Sequence, residues 1–203
     1  MAEDSTPDPL SVLTRPFRGA IFDCDGTLAH TMPLHYRAWV ETLNEAGAEM
    51  SEQLFYELGG VPTAEIVRIL NRRFGYSLDV EGIAHEKEVR YEALLHQAQP
   101  IEQVCALVHE YHGRFPLAVA SGGLRRLVDR TLEGLGIAGC FDAVCTAEDV
   151  ERGKPEPDLF LLAASRLGVE PTDCVVFEDS DLGLEAARRA GMQGVDIRPW
   201  VPL

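Results

Sequence analysis

The sequence predicts an α/β fold: a parallel sheet with a small helical unit inserted after the first strand. Three observations carry this. From Pro100 onward, short apolar runs alternate with segments of helical period, the pattern of parallel strands joined by right-handed crossovers. Between about Pro33 and Gln99 that alternation gives way to helical periodicity with almost no strand signal. The apolar runs also end in polar residues, at strand ends where open α/β sheets place their ligands.

Taken in order, residues 1–16 (MAEDSTPDPLSVLTRP) are rich in Pro, Asp and Ser and are expected to form a flexible tail. The first strand spans about Gly19 to Asp23. Tyr36, Trp39, Val40 and Leu43 then recur at helical spacing, with Gly47 as the stop. Ser51 can cap a short helix through Leu58, and Gly59-Gly60-Val61-Pro62 is a turn. Ile66, Ile69, Leu70 and Phe74 line the face of a third helix that Gly75 ends. Asp79 can cap a fourth, running to about His96. The division expected is a tail (1–16), a core domain (17–32 and 100–203) and a helical unit (33–99).

In the second half, Ile101, Val104, Cys105 and Val108 mark a helix closed by Gly113. Pro116 to Ala120 is a strand ending in Ser121-Gly122-Gly123. Leu124, Leu127, Val128, Leu132 and Leu135 mark the next helix, and Phe141 to Thr146 a weak strand. Arg152-Gly153-Lys154-Pro155-Glu156-Pro157 is a loop opening a helix, with Pro157 suited to its first turn. Cys174 to Phe177 is a strand ending in Glu178-Asp179. A helix from Leu182 to Ala190 and a last strand from Gly194 to Ile197 complete the pattern.

A chain of 203 residues can bury a core without staples. Its net charge of −15 argues against nucleic acid or anionic membrane as a partner, since both need a basic face. The five cysteines (24, 105, 140, 145 and 174) form no C-x-x-C and lie mostly in or beside apolar runs, as buried thiols in a reducing cytosol would. No apolar run approaches a membrane span and the N-terminus has no apolar signal core, so a cytoplasmic protein is expected.

The chemistry is concentrated in Ala20-Ile21-Phe22-Asp23-Cys24-Asp25-Gly26-Thr27-Leu28. Two carboxylates two residues apart repel, so a shared proton or a divalent cation is expected between them. A hard cation such as Mg²⁺ takes oxygen ligands, one or two of them carboxylates beside substrate phosphate. The other strand ends bring partners: Ser121 with Gly122 and Gly123, Lys154, and Glu178 with Asp179. Four carboxylates, a hydroxyl, an ammonium and glycine-rich turns on one sheet edge suit phosphoryl transfer. One carboxylate can attack phosphorus, while another protonates the leaving oxygen and later deprotonates water. Ser121 and N–H groups at a helix start can cradle phosphate oxygens, with Lys154 as a point charge.

Asp23-Cys24-Asp25-Gly26-Thr27-Leu28, Ser121, Lys154 and Glu178-Asp179 resemble, in identity and order, the four motifs of the haloacid dehalogenase-like (HAD) hydrolase superfamily. The resemblance covers nearly everything after the tail. It implies a Rossmann-like core with strand order 5-4-1-2-3, a helical cap inserted after strand 1, and Mg²⁺. It further implies Asp23 as nucleophile and metal ligand, and Asp25 as general acid/base with its backbone carbonyl on the metal. Asp179 would ligate the metal with Glu178 in support, and Ser121, Gly122 and Lys154 would clamp phosphate.

In the helical unit, Thr31-x-x-x-His35-x-x-x-Trp39 resembles the cap entrance of the β-phosphoglucomutase-like subfamily, where the threonine and histidine couple cap closure to the acid/base aspartate. One departure matters. The turn Gly59-Gly60-Val61-Pro62-Thr63 carries Thr63 where the mutase has an arginine that grips a second phosphate. Gly60 and Thr63 are therefore candidate substrate contacts. His112-Gly113-Arg114, Leu161-Leu162-Ala163 and Cys174 to Asp179, with the Gly-Val-Pro-Thr turn, look closer to the bacterial fructose-1-phosphate phosphatase type. The expectation is a monomeric Mg²⁺-dependent phosphatase of small sugar phosphates, working through an aspartyl-phosphate. The alternatives are a sugar phosphomutase and a non-catalytic phosphosugar-binding protein.

Overall fold

The structure is a computed structural model describing residues 9–201. Five strands form one parallel sheet: β1 (Gly19–Phe22), β2 (Leu117–Ala120), β3 (Ala143–Cys145), β4 (Cys174–Glu178) and β5 (Gln193–Asp196). Their order is β3-β2-β1-β4-β5, the expected order read from the opposite edge. The helices are α1 (Met32–Glu45), α2 (Glu52–Glu57), α3 (Thr63–Phe74), α4 (Val80–Leu94), α5 (Glu102–Tyr111), α6 (Arg125–Gly134), α7 (Asp158–Leu167) and α8 (Asp181–Arg189). No helix among the described residues is long and apolar enough to cross a membrane.

The sheet is covered on both faces, so its strands read as continuous apolar runs rather than alternating ones. Ala20, Phe22, Val119, Val175 and Phe177 turn to one side, against α5 and α6. Ile21, Ala118, Ala120 and Val176 turn to the other, against Leu159, Phe160, Ala163 and Ala164 of α7 and Ala186 and Ala187 of α8. The register pairs Phe22 with both Phe177 and Val119. The rings of Phe22 and Phe177 stack with centroids 4.7 Å apart at the middle of the sheet. The residues that follow them therefore emerge side by side at one edge.

Helices α1 to α4 lie between β1 and β2 in the chain, and α1 to α3 bury a cluster of their own around Trp39, Leu43, Phe55, Val67 and Leu70. A smaller cluster, Ala38, Tyr91, Leu94 and Leu95 with Leu127 of α6, joins this unit to the sheet layer. Ser51 caps α2 as expected, accepting from the Leu54 N–H at 3.2 Å. Asp79 stands at the N-terminus of α4 without a side-chain cap. Pro157 precedes α7 rather than entering its first turn.

The expected tail differs from the structure. Residues 1–8 lie outside the described residues, but Pro9–Val12 form a 3₁₀ turn, and Leu10 and Leu13 pack against the core. The Gln193 side chain at β5 accepts from the Thr14 and Arg15 N–H groups at 3.0 and 3.1 Å and donates to the Arg15 carbonyl at 3.0 Å. The Pro-rich composition suggested looseness, yet two leucines and one edge-strand amide fix this segment. All five cysteines are free thiols, and Cys24 turns into the core, away from the neighbouring aspartates.

The stacked pair gives the first prediction. Phe177→Ala opens a cavity at the centre of the sheet, and its unfolding free energy should fall by about 3–5 kcal/mol, read as a lower urea midpoint at unchanged slope.

Candidate active site

The sheet edge assembles the site. Asp23 follows β1 directly, and its N–H donates to the Phe177 carbonyl at 3.0 Å, which locks it beside Glu178. Lys154, in the loop before α7, reaches between them. Its ammonium donates to Asp23 Oδ1 at 2.6 Å and Glu178 Oε2 at 2.7 Å, and sits 5.1 Å from the centre of the Phe160 ring. Glu178 Oε1 in turn accepts from the Ser180 N–H and hydroxyl at 3.0 and 2.7 Å. Asp179 accepts from the Thr27 hydroxyl at 3.2 Å.

This cluster holds three carboxylates against one ammonium. Burial and the nearby Glu178 push Asp23 up to about 7, against the pull of Lys154. Burial, Glu178 and Asp23 raise Asp179 well above the carboxylate range. Burial alone would lower Lys154, but Asp23 and Glu178 more than reverse this and hold it charged. The imbalance calls for another cation. Asp23, Glu178 and Asp179 each offer an oxygen, all within 4.8 Å of one another, a donor set that suits a hard divalent ion such as Mg²⁺.

Two glycines keep this corner open. A Cβ on Gly26, whose φ is +82°, would lie 2.1 Å from Asp179 Oδ2. A Cβ on Gly183 would lie 2.0 Å from the Glu178 carboxyl carbon. No side chain fits at either place without displacing the carboxylates.

Asp25 is separate. Its side chain lies outside the three-carboxylate group and faces the helical unit. Oδ1 accepts from Thr31 Oγ1 and from the Tyr91 hydroxyl, each at 2.8 Å, and His35 Nε2 lies 3.3 Å away. Lys87 fixes the histidine tautomer: its ammonium is 2.8 Å from His35 Nδ1, so Nδ1 is the acceptor and the ring proton sits on Nε2, toward Asp25. Burial and Lys87 lower the His35 pKa, so this ring donates as a neutral group. Burial would raise Asp25, yet His35, Thr31 and Tyr91 together hold it well below the usual carboxylate range. Oδ2 points toward the loop after β2, near Gly123.

Between sheet edge and helical unit lies a cavity of about 700 Å³. Asp23, Asp25, Ser121, Gly122, Lys154, Glu178 and Asp179 line its floor, and His35, Gly60 and Thr63 its roof. Ser121 is buried, its hydroxyl accepting from the Gly123 N–H at 3.0 Å. Gly60, with φ +83°, brings its turn against Ser180 and Leu182. Thr31 does not reach the cavity; it is fully buried and acts on Asp25 from behind.

Sequence reading passed over Lys87, Glu88 and Tyr91. The signal was weak because α4 carries charge around its whole circumference. Its trace was Lys87 and Tyr91 at i, i+4, which puts both on one face. Lys87 is buried at 3 % side-chain exposure, with Tyr91 stacked on His35 at 3.6 Å between centroids.

A parallel sheet whose central strands end in carboxylates and a hydroxyl, with a buried lysine reaching in from the loop before α7, defines a phosphoryl-transfer type of site. The family model of haloacid dehalogenase-like hydrolases matches residues 17–191, and the chain belongs to that family. It is 43% identical to the fructose-1-phosphate phosphatase YqaB of Escherichia coli K12 over 183 residues, 90% of this chain and 97% of that protein. It is 32% identical to a phosphorylated carbohydrates phosphatase of Thermotoga maritima, over 86% of this chain and 82% of that one. Among solved structures, β-phosphoglucomutase of Clostridium difficile superposes with a TM-score of 0.79 at 25% identity, covering 89% of this chain and 84% of that one.

The charge cluster predicts a stability effect. Lys154→Met leaves Asp23 and Glu178 buried without their cation, and in chelator it should lose about 3–5 kcal/mol of unfolding free energy, measured by urea titration.

Proposed function

We propose that this protein is a Mg²⁺-dependent phosphatase of small sugar phosphates, of the fructose 1-phosphate kind, acting through an aspartyl-phosphate on Asp23. One observation carries the reading: a buried carboxylate trio with a single ammonium lies beside a separate carboxylate held by Thr31, Tyr91 and His35, and both open on one cavity. The 43% identity to a fructose-1-phosphate phosphatase supports the substrate class.

In this reading Asp23, Glu178 and Asp179, with the Asp25 carbonyl, would hold Mg²⁺, which would supply positive charge against the phosphate oxygens. Asp23 Oδ attacks phosphorus in line and the ester P–O bond breaks; the leaving oxygen takes a proton from Asp25, which must first gain one from solvent or from the substrate's phosphate monoanion, because its donors otherwise hold it ionised. Water then attacks the aspartyl-phosphate, giving its proton to Asp25. The donors around Asp25 favour its ionised form, the form that starts this second step. Ser121, the Gly122 backbone and Lys154 hold the phosphoryl oxygens.

Helices α1 to α4, with the boundaries 33–99, serve as a cap that shuts out water, and Thr31, His35 and Tyr91 bring its closure to Asp25. The protein is read as a cytoplasmic monomer without nucleic-acid or membrane partners. A sugar phosphomutase is the second reading, favoured by the fit to β-phosphoglucomutase. With β-glucose 1-phosphate as substrate, phosphorus NMR separates the two: free phosphate marks the phosphatase and an isomeric sugar phosphate the mutase.

Asp23→Asn should lower turnover of fructose 1-phosphate by about a thousandfold or more while circular dichroism and melting stay close to wild type. Near-normal phosphate release by that variant would remove Asp23 from the reaction. Proton and metal also compete at this site. With Asp23 pushed up to about 7 and Asp179 raised as well, bound Mg²⁺ must displace their protons, so apparent Mg²⁺ affinity should climb as pH rises through about 7. Calorimetric titrations across pH 5.5–8.5, the range bracketing about 7, read this directly; a flat profile would count against metal binding through Asp23.

A further inference from the structure

Glu88 is the one carboxylate of α4 bonded into the cap interior and facing the cavity. Its Oε1 accepts from the Thr63 hydroxyl at 2.6 Å and from the Lys87 ammonium at 3.0 Å. Both bonds fall on that oxygen, and among the described residues Oε2 has no protein hydrogen bond. Lys87 does not share this outlook. It is withdrawn to 3 % exposure, against 14 % for Glu88, and its ammonium lies 5.1 Å from the Tyr91 ring centre. Burial would raise the Glu88 pKa, but Lys87 and Thr63 hold it below its usual value, so an anionic oxygen faces the space across from the sheet edge.

The cations around the cavity are already committed. Its four lysine and arginine side chains are Lys87, Lys154, Arg126 and Arg198. Lys87 is held by Glu88, and Lys154 by Asp23 and Glu178. Arg126 pairs with Glu92, and Arg198 with Asp181 and Asp196. An incoming anionic group would have to share one of these paired cations with its carboxylate and also approach Glu88.

We propose that Glu88, positioned by Thr63, is a specificity-determining residue: its free oxygen accepts hydrogen bonds from the hydroxyls of a neutral polyol and turns away substrates that carry a second anionic group. The site so built takes a monophosphate ester with an uncharged hydroxylated end. This rests on the sugar-phosphate reading above. A carboxylate discriminates between these substrates in both directions, because it strengthens a hydroxyl donor bond and repels a like charge.

The test compares fructose 1-phosphate with fructose 1,6-bisphosphate, in Mg²⁺, for wild type, Glu88→Gln and Glu88→Asp. The ratio of kcat/KM values cancels any change the variant makes to acid/base chemistry common to both substrates. Wild type should prefer the monophosphate, Glu88→Gln should lose about tenfold of that preference, and Glu88→Asp should keep most of it. The same ratio is read without turnover from calorimetric dissociation constants in an Asp23→Asn background. Turnover with an unchanged ratio in Glu88→Gln, or no wild-type preference, overturns the role of Glu88 and leaves the phosphatase reading standing. A shifted binding ratio without wild-type turnover upholds the role of Glu88 and removes the phosphatase reading.

Discussion

The site is governed by a charge imbalance at the end of the central strands. Asp23, Glu178 and Asp179 converge where the sheet register puts Phe22 beside Phe177, and Lys154 is the cation among them. Buried carboxylates at this spacing are tolerated only with compensation. It comes from the lysine ammonium, the Ser180 donors and the Thr27 hydroxyl, and burial beside one another raises Asp23 and Asp179 above their ordinary range, which favours their protonated forms. Replacing those protons with a divalent cation relieves the same repulsion and frees Asp23 as an anion. The metal binding and the nucleophile role proposed for Asp23 would thus share one electrostatic cause.

Asp25, two residues on, is treated in the opposite way. It is given donors rather than carboxylate neighbours, and all of them come from residues between β1 and β2: Thr31 at the start of α1, His35 on α1 and Tyr91 on α4. Thr31 illustrates the trade. It stands at the N-terminus of α1 without making a side-chain cap, because its hydroxyl is spent on Asp25. Environment pushes the two aspartates apart, one toward its proton and one away from it. Pairs separated in this way divide into different acid and base tasks.

The sheet was legible in the sequence because parallel strands buried on both faces must be apolar throughout, and each ended at a recognisable polar break. The motif residues were legible for the same reason. Strand boundaries slipped by a residue or so, as at Asp23, which the apolar run included but the ladder excludes. Within the expected tail, residues 9–15 were misread from composition, since the amide contact between Gln193 and Arg15 spans 178 positions and leaves no local trace. Lys87, Glu88 and Tyr91 were missed because a helix with charge all round has no apolar stripe to orient it. Only tertiary contacts reveal which face is buried.

These missed residues link the two halves of the chemistry. From Asp25, contacts run through His35 to Lys87, from Lys87 to Glu88, and from Glu88 to Thr63 at the cavity roof. Lys87 stands at the middle of this chain and orients both neighbours, the histidine tautomer on one side and the Glu88 oxygen on the other. His35, beside Asp25, is therefore connected through Lys87 to Glu88 on the other side of the cavity. Under the proposed roles, binding of an uncharged end at Glu88 and the protonation of Asp25 would both depend on one buried ammonium, without a contact between the two ends of the site.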